Sequence, residues 1–210
     1  MENNNLPPLD NTTEVRLWHA NNYRVYTELS KKAEEVIRKL LQTYAIPVIN
    51  VYPRVKEIDS LLEKLTRKKD YKSILDCTDL CGCRIVCLTN TQVADAIDMI
   101  RSEFEVLEEE WRKPEGNLFG YKSYHFTLRF KPECAQRPEY QDIKDLKFEL
   151  QIRTAFQEGW AALDHKVKYK PPTPPSEDVQ HRIDRIAALI ELADEEWQRI
   201  YDITFKKGSK

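Results

Sequence analysis

The sequence predicts an α+β fold: a small mixed, mainly antiparallel sheet with one polar face, packed by helices and flanked by a long helix at each end. Three observations predict it. Residues 14–44 contain neither Gly nor Pro, and Leu29, Ala33, Val36, Ile37, Leu40, Leu41 and Tyr44 recur at helical spacing. The middle of the chain then changes character, with strand-like segments at 105–112, 123–130 and 145–153 separated by turn-rich stretches. Residues 176–205 return to a helical stripe of Val179, Ile183, Ile186, Ala187, Ile190, Ala193, Trp197 and Tyr201. That stripe is either a packing face or, if exposed with Trp197, a face for self-association.

The remaining elements follow in order. Polar, Pro-containing residues 1–12 are expected to fray. Pro47 stops the first helix, and the apolar run 48–51 leads through Pro53 into a second helix at 59–69. A strand is expected at 82–88 and a helix at 91–104, where Val93, Ala96, Ile97, Ile100 and Phe104 keep helical period. Residues 154–168 read as helix, and the PPTPP run at 171–175 reads as a stiff spacer. The expected organisation is thus a flexible start (1–12), a helical flank (13–50), a central domain (51–170), the spacer (171–175), a C-terminal helix (176–205) and a short flexible tail (206–210).

Across 210 residues, 33 Lys and Arg stand against 35 Asp and Glu, for a net charge of −2. This balance excludes a polybasic nucleic-acid coat or an acidic disordered tail as a description of the whole. No apolar run approaches the roughly 20 residues of a membrane span, and residues 1–11 lack both a basic start and an apolar stretch. A cytosolic protein with no membrane partner is expected. Four of five cysteines (Cys77, Cys81, Cys83, Cys87) crowd into eleven residues with C-x3-C-x-C-x3-C spacing. Zinc pairs usually look for a second pair or a His cluster elsewhere, and the sequence has neither. Core packing is the better reading, with Cys83 and Cys87 sharing a strand face with Ile85.

Chemistry is concentrated on alternating strand positions. In GYKSYHFTLRF, Tyr121, Ser123 and His125 share one face, while Tyr124, Phe126 and Leu128 share the other. KFELQIR sorts likewise into Glu149, Gln151 and Arg153 against Phe148, Leu150 and Ile152. One wet side is ordinary for an antiparallel sheet. The content of this one is less ordinary, since Tyr, His, carboxylate, amide and Arg stack on bases, bind metal and hold phosphates. Residues 54–72 carry seven basic and four acidic side chains, with Arg54 and Lys56 on one extended face and Ser60, Lys64 and Lys68 on one helix face. Alone this is a solvated helix face; opposite carboxylates it is a polyphosphate clamp. In TDLCGCRIV, Asp79 stands three residues before Gly82 and five before Arg84. Brought together, Asp79 and Glu149 make the oxygen-rich site that Mg2+ takes with substrate phosphates.

These elements, in this order, resemble the nucleotide pyrophosphokinase (synthetase) domain of the RelA/SpoT family, the enzymes of guanosine tetra- and pentaphosphate alarmones. The resemblance spans residues 52–170 and is carried by RVK-x3-S-x3-K from Arg54 to Lys64, TDLCGCRIV, GYKSYH, and FELQIRT followed by Trp160 and His165. It implies transfer of the β,γ-pyrophosphate of ATP to the 3′-hydroxyl of GDP or GTP, with AMP released. By motif, Arg54 and Arg84 flank the adenine, and Lys56, Ser60 and Lys64 hold the ATP phosphates. Asp79 and Glu149 bind Mg2+, and Glu149 either takes the hydroxyl proton or only orients it. Tyr121 stacks on the acceptor base, supported by Ser123, His125, Gln151 and Arg153.

One segment departs from the pattern. Many alarmone synthetases carry PK-x-NGY ahead of the stacking Tyr, whereas this chain has RKPEGNLFGY, with Phe119 replacing the Asn. The acceptor is therefore the open question, with the tRNA 3′ end or another nucleotide, in a toxin-type relative with an antitoxin, as the alternative. A third reading is an inactive nucleotide-binding module. The length leaves no room for the hydrolase half of the long enzymes, so the resemblance is to a stand-alone small synthetase, for which a homo-oligomer, typically a tetramer, is expected.

Overall fold

A computed structural model describes residues 6–112, 123–168 and 176–206. Asn11 starts the first helix by accepting a hydrogen bond from the Glu14 amide, and α1 runs over Thr12–Thr43. Its buried stripe includes Leu29, Ala33, Ile37 and Leu41, spaced to share one face. The helix ends without a glycine. Ala45 takes a left-handed φ of 54°, and the Ala45 and Ile46 amides donate to the Gln42 and Leu41 carbonyls at 3.1 and 2.9 Å. This is a Schellman ending, placed two residues before Pro47.

Five strands follow: β1 (Asn50–Val55), β2 (Cys81–Cys87), β3 (Glu105–Arg112), β4 (Ser123–Arg129) and β5 (Phe148–Thr154), in the order β1-β2-β5-β4-β3. Only β2 and β5 pair in parallel, so the sheet is mixed and mainly antiparallel, as the sequence predicts. β1 is not legible as a strand, because Pro53 sits in its middle and cannot donate to a ladder. An edge position makes that tolerable. The other edge, β3, carries Glu105, Glu108, Glu109 and Glu110, which discourage pairing with a further strand. A register shift between Val106 and Glu108 turns β3 over: Val106 stands opposite Leu128, but Glu108 and Glu110 stand opposite Thr127 and His125.

Helices cover the apolar face of this sheet. α1 and α3 (Asn90–Glu103) bury Leu29, Ile37, Ala96 and Ile100 with Cys83, Ile85, Phe126, Leu150 and Ile152. Phe104, Phe130, Phe148 and Tyr140 close one end, with successive ring centroids 4.9 to 5.9 Å apart. Cys77, Cys81, Cys83 and Cys87 are all buried. Burial pushes the Cys83 and Cys87 thiols up to about 12, so they stay protonated and behave as small core residues. A short α2 (Ile58–Arg67) follows β1, so Lys68 is its C-cap rather than a third member of the helix face with Ser60 and Lys64. The β4–β5 connection, expected only as turns, contains a one-turn α4 (Pro132–Ala135) and a 3-10 turn at Pro138–Tyr140.

β5 runs straight into α5 (Ala155–Lys168). The Gln157 amide donates to Thr154 Oγ1 at 3.2 Å while the Thr154 amide donates to Gln157 Oε1 at 3.1 Å, a reciprocal cap. The Thr154 hydroxyl also donates to buried Asp194 of α6 (Glu177–Tyr201) at 2.8 Å. α6 further buries Ile183 and Ala187 against Trp160 of α5. The predicted stripe packs only in part, leaving Val179 and Ile186 exposed, and Ile186 forms an exposed apolar row with Leu189, Ile200 and Ile203, residues outside that stripe, on α6 and its C-terminal π turn. The spacer 171–175 lies outside the described residues, and among those described no helix is long and apolar enough to cross a membrane.

Two substitutions test this account. Ala45→Gly relieves the left-handed strain and is expected to stabilise the fold by roughly 0.5–1 kcal/mol, a rise of a few degrees in Tm by calorimetry. Gly82 faces Glu149 across the parallel pair, and a Cβ there would overlap the Glu149 carbonyl oxygen. Gly82→Ala is therefore expected to cost about 1–3 kcal/mol in urea unfolding, and an unchanged midpoint would refute the close approach.

Candidate active site

The face of the sheet turned away from α1 is polar by register. Arg54 stands opposite Gly82 and Tyr52 opposite Arg84 on one side of β2. Glu149 lies beside Gly82 and Gln151 beside Arg84 on the other. His125 of β4 then stands opposite Gln151. A cleft of about 320 Å³ opens over this face, lined by Tyr52, Arg54, Asp79, Arg84, Glu149, Gln151 and Glu158, among others.

Asp79 enters from the loop before β2. Upstream, Ser73 and Asp76 cap a 3-10 turn at Ile74–Asp76, which fixes the loop's start. Lys56 Nζ donates to Asp79 Oδ2 at 2.7 Å, and Lys64 Nζ to Oδ1 at 2.8 Å. The Cys77 thiol donates to Oδ1 at 3.0 Å. Burial alone would raise the Asp79 pKa, but the two ammonium groups outweigh it and hold the carboxyl far below the usual range. Burial and the neighbouring Asp79 charge push the Cys77 thiol up to about 12, so it remains a donor.

Glu149 is held from both sides. Its Oε1 faces His125 Nδ1 at 2.9 Å and its Oε2 accepts from Gln151 Nε2 at 2.7 Å. A carboxylate only accepts, so Nδ1 carries the proton. Burial again pushes the Glu149 pKa up, yet the hydrogen bond and charge of His125 bring it below the ordinary value, and Asp79 pushes back against that. Glu149 is thus ionised at neutral pH within the field of a second carboxylate.

The other end of the cleft is a ring of four side chains. Gln151 Oε1 accepts from Arg84 Nε at 3.1 Å and from Arg153. Glu158, in the first turn of α5, takes Arg84 on Oε1 at 2.7 Å and Arg153 on Oε2 at 3.1 Å. Arg153 is only 2% exposed, and a buried charge needs such a partner.

Most residues named from the sequence gather here. Asp79, Glu149, Arg54, Arg84 and Gln151 line the cleft, Lys56 and Lys64 reach it through Asp79, and His125 and Arg153 adjoin it through Glu149 and Glu158. Ser60 is half buried on α2, one turn before Lys64, and Ser123 is fully buried at the start of β4. Tyr121 lies outside the described residues. Sequence reasoning missed Tyr52 and Glu158. Tyr52 could have been found as an aromatic beside a proline before the basic segment. Glu158 gives no such signal, because an acid in a helix's first turn is ordinary.

Comparison with known proteins agrees with this arrangement. A sequence pattern described as the region found in RelA/SpoT proteins matches residues 53–173. The chain is 29% identical over 157 residues to the GTP pyrophosphokinase YjbM of Bacillus subtilis (strain 168), covering 73% of this chain and 72% of that one. It is 28% identical over 134 residues to the GTP pyrophosphokinase YwaC of the same strain, covering 59% and 60%. The fold is similar to that of small alarmone synthetase 1 from Bacillus subtilis bound to its product pppGpp, at TM-score 0.74 and 25% identity over 90% of this chain and 99% of that one. A GTP pyrophosphokinase family protein from Streptococcus pneumoniae shares the fold at TM-score 0.75 and 22% identity, over 90% and 95%. Because the matched region takes in every strand of the sheet from Pro53 onward and the loop and helices that furnish the cleft, the chain belongs to the RelA/SpoT family.

Proposed function

We propose that the chain is a (p)ppGpp synthetase, acting in the cytoplasm, that transfers the β,γ-pyrophosphate of ATP to the 3′-hydroxyl of GDP or GTP and releases AMP. The observation that carries this reading is the meeting of two ionised carboxylates, Asp79 and Glu149, with Lys56, Lys64, Arg54 and Arg84 around one cleft. The family relationship supports it, as do relatives named GTP pyrophosphokinases.

A divalent cation fits the donor set. Asp79 and Glu149 offer hard oxygens, and among the described residues no group of three or more His, Cys, Asp or Glu is gathered to hold a metal alone. Mg2+ held by two carboxylates would complete its shell with nucleotide oxygens and water. When bound, Mg2+ would neutralise charge on the transferred phosphoryl oxygens. The chain's own groups do the rest. Lys56 and Lys64 would exchange Asp79 for phosphate oxygens, and Arg54 and Arg84 would flank the adenine. Ser60 is assigned to the phosphates by motif. Glu149, with its lowered pKa, is a weak base; orienting the 3′-hydroxyl suits it better than taking the proton. His125, Gln151 and Arg153 would secure the acceptor side with Ser123 and Tyr121. In-line positioning and charge neutralisation are what this chemistry chiefly requires.

A homo-oligomer is part of the proposal, with α6 as its contact. The exposed row of Ile186, Leu189, Ile200 and Ile203 supports it. Light scattering after size exclusion should report more than one chain per particle, and Leu189→Glu should lower that number while preserving the helical circular dichroism.

Labelled ATP offered in parallel to GDP, GTP, GMP, ATP and bulk tRNA tests the reaction. A 3′-pyrophosphorylated guanosine nucleotide and AMP are expected, and Asp79→Asn or Glu149→Gln should each lower turnover by about 100-fold or more. Product on tRNA alone would move the assignment to the toxin-type chemistry. Nucleotide binding without turnover would reduce the chain to a binding module.

A further inference from the structure

Glu158 belongs to no motif named above, yet it contacts both arginines at one end of the cleft. Its position is set firmly: the reciprocal Thr154–Gln157 cap starts α5, and Asp194 anchors Thr154 from α6. Arg84 is consequently gripped from two elements, by Gln151 on β5 and by Glu158 on α5. Two such contacts fix the plane of its guanidinium, and the carboxylate, shared with Arg153, offsets part of its charge. A guanidinium already paired with a carboxylate attracts phosphate less, but its flat face still stacks on a planar ring. Tyr52, directly opposite Arg84 in the register and 46% exposed, adds an aromatic ring to the same end. The lysines lie instead at Asp79.

We infer that Glu158 is a positioning residue for the donor nucleobase: by orienting Arg84 and offsetting part of its charge, it makes this end of the cleft take a purine ring rather than a phosphate group. The inference rests on the proposed function, since it presumes that ATP occupies the cleft. Without Glu158, Arg84 loses its carboxylate partner, and polyphosphate gains a second landing place.

Equilibrium binding of a non-hydrolysable ATP analogue and of inorganic tripolyphosphate, each with Mg2+, separates these effects. The wild-type protein should prefer the analogue. Glu158→Gln should cut the ratio of the two affinities at least about fivefold, with tripolyphosphate binding unchanged or tighter. Arg84→Met, which leaves the Arg153–Glu158 pair in place, should cut it similarly, and the double variant should show no further loss, as expected if Glu158 acts through Arg84. A purely structural Glu158 would weaken both ligands alike and leave the ratio intact, which overturns the inference. If Glu158→Gln fails to fold, an unchanged ratio in Arg84→Met overturns it equally. A wild-type protein with no preference for the analogue overturns the proposed function as well, whereas preference with unaltered variants overturns only the role of Glu158.

Discussion

The parallel pairing of β2 with β5 is the contact on which the site depends. Two strands running the same way bring their starting ends together. Asp79, just ahead of β2, thereby shares a cleft with Glu149, the second residue of β5. Gly82 permits the close approach, because any side chain there would occupy the space of the Glu149 carbonyl. One level further along the same pair, Arg84 meets Gln151. The antiparallel neighbours then add to a frame already set: β1 brings Tyr52 and Arg54 to one side, and β4 brings His125 to the other.

Charge in this cleft is arranged in groups of opposed partners. Asp79 sits between Lys56 and Lys64, Glu149 between His125 and Gln151, and Arg84 and Arg153 share Glu158. Desolvating any of these ions without its partner would cost several kcal/mol, so the partners stabilise one another around the cleft. On the proposed reading, a magnesium nucleotide presents matching charges, metal for carboxylate and phosphate for lysine. Binding then exchanges one set of pairs for another rather than stripping bare ions from water.

The outer helices secure this frame from behind. α5 grows directly out of β5, and its first turn returns Glu158 over the cleft. α6 holds that junction through Asp194 and buries Ile183 and Ala187 against Trp160. Its stripe looked like one face in the sequence. In the fold it divides, because a helix of 25 residues packed on one side still has apolar residues left for the other.

Local pattern made much of this legible. A period of two put Glu149, Gln151 and Arg153 on one face of β5 and His125 on the matching face of β4, and a period near 3.6 marked α1, α3 and α6 within a few residues of their ends. β1 escaped because Pro53 breaks the strand signal, and the shift in β3 escaped because a bulge has no composition of its own. What the sequence by itself determined is the chemistry available on each face: carboxylates, lysines, arginines, a histidine and a buried row of cysteines. Which partner each one meets was decided only by the tertiary structure. Lys64 on Asp79, His125 on Glu149 and Glu158 on Arg84 are separated by 15, 24 and 74 residues. Side-chain periodicity is a property of one element, whereas such pairs depend on strand order and register between elements.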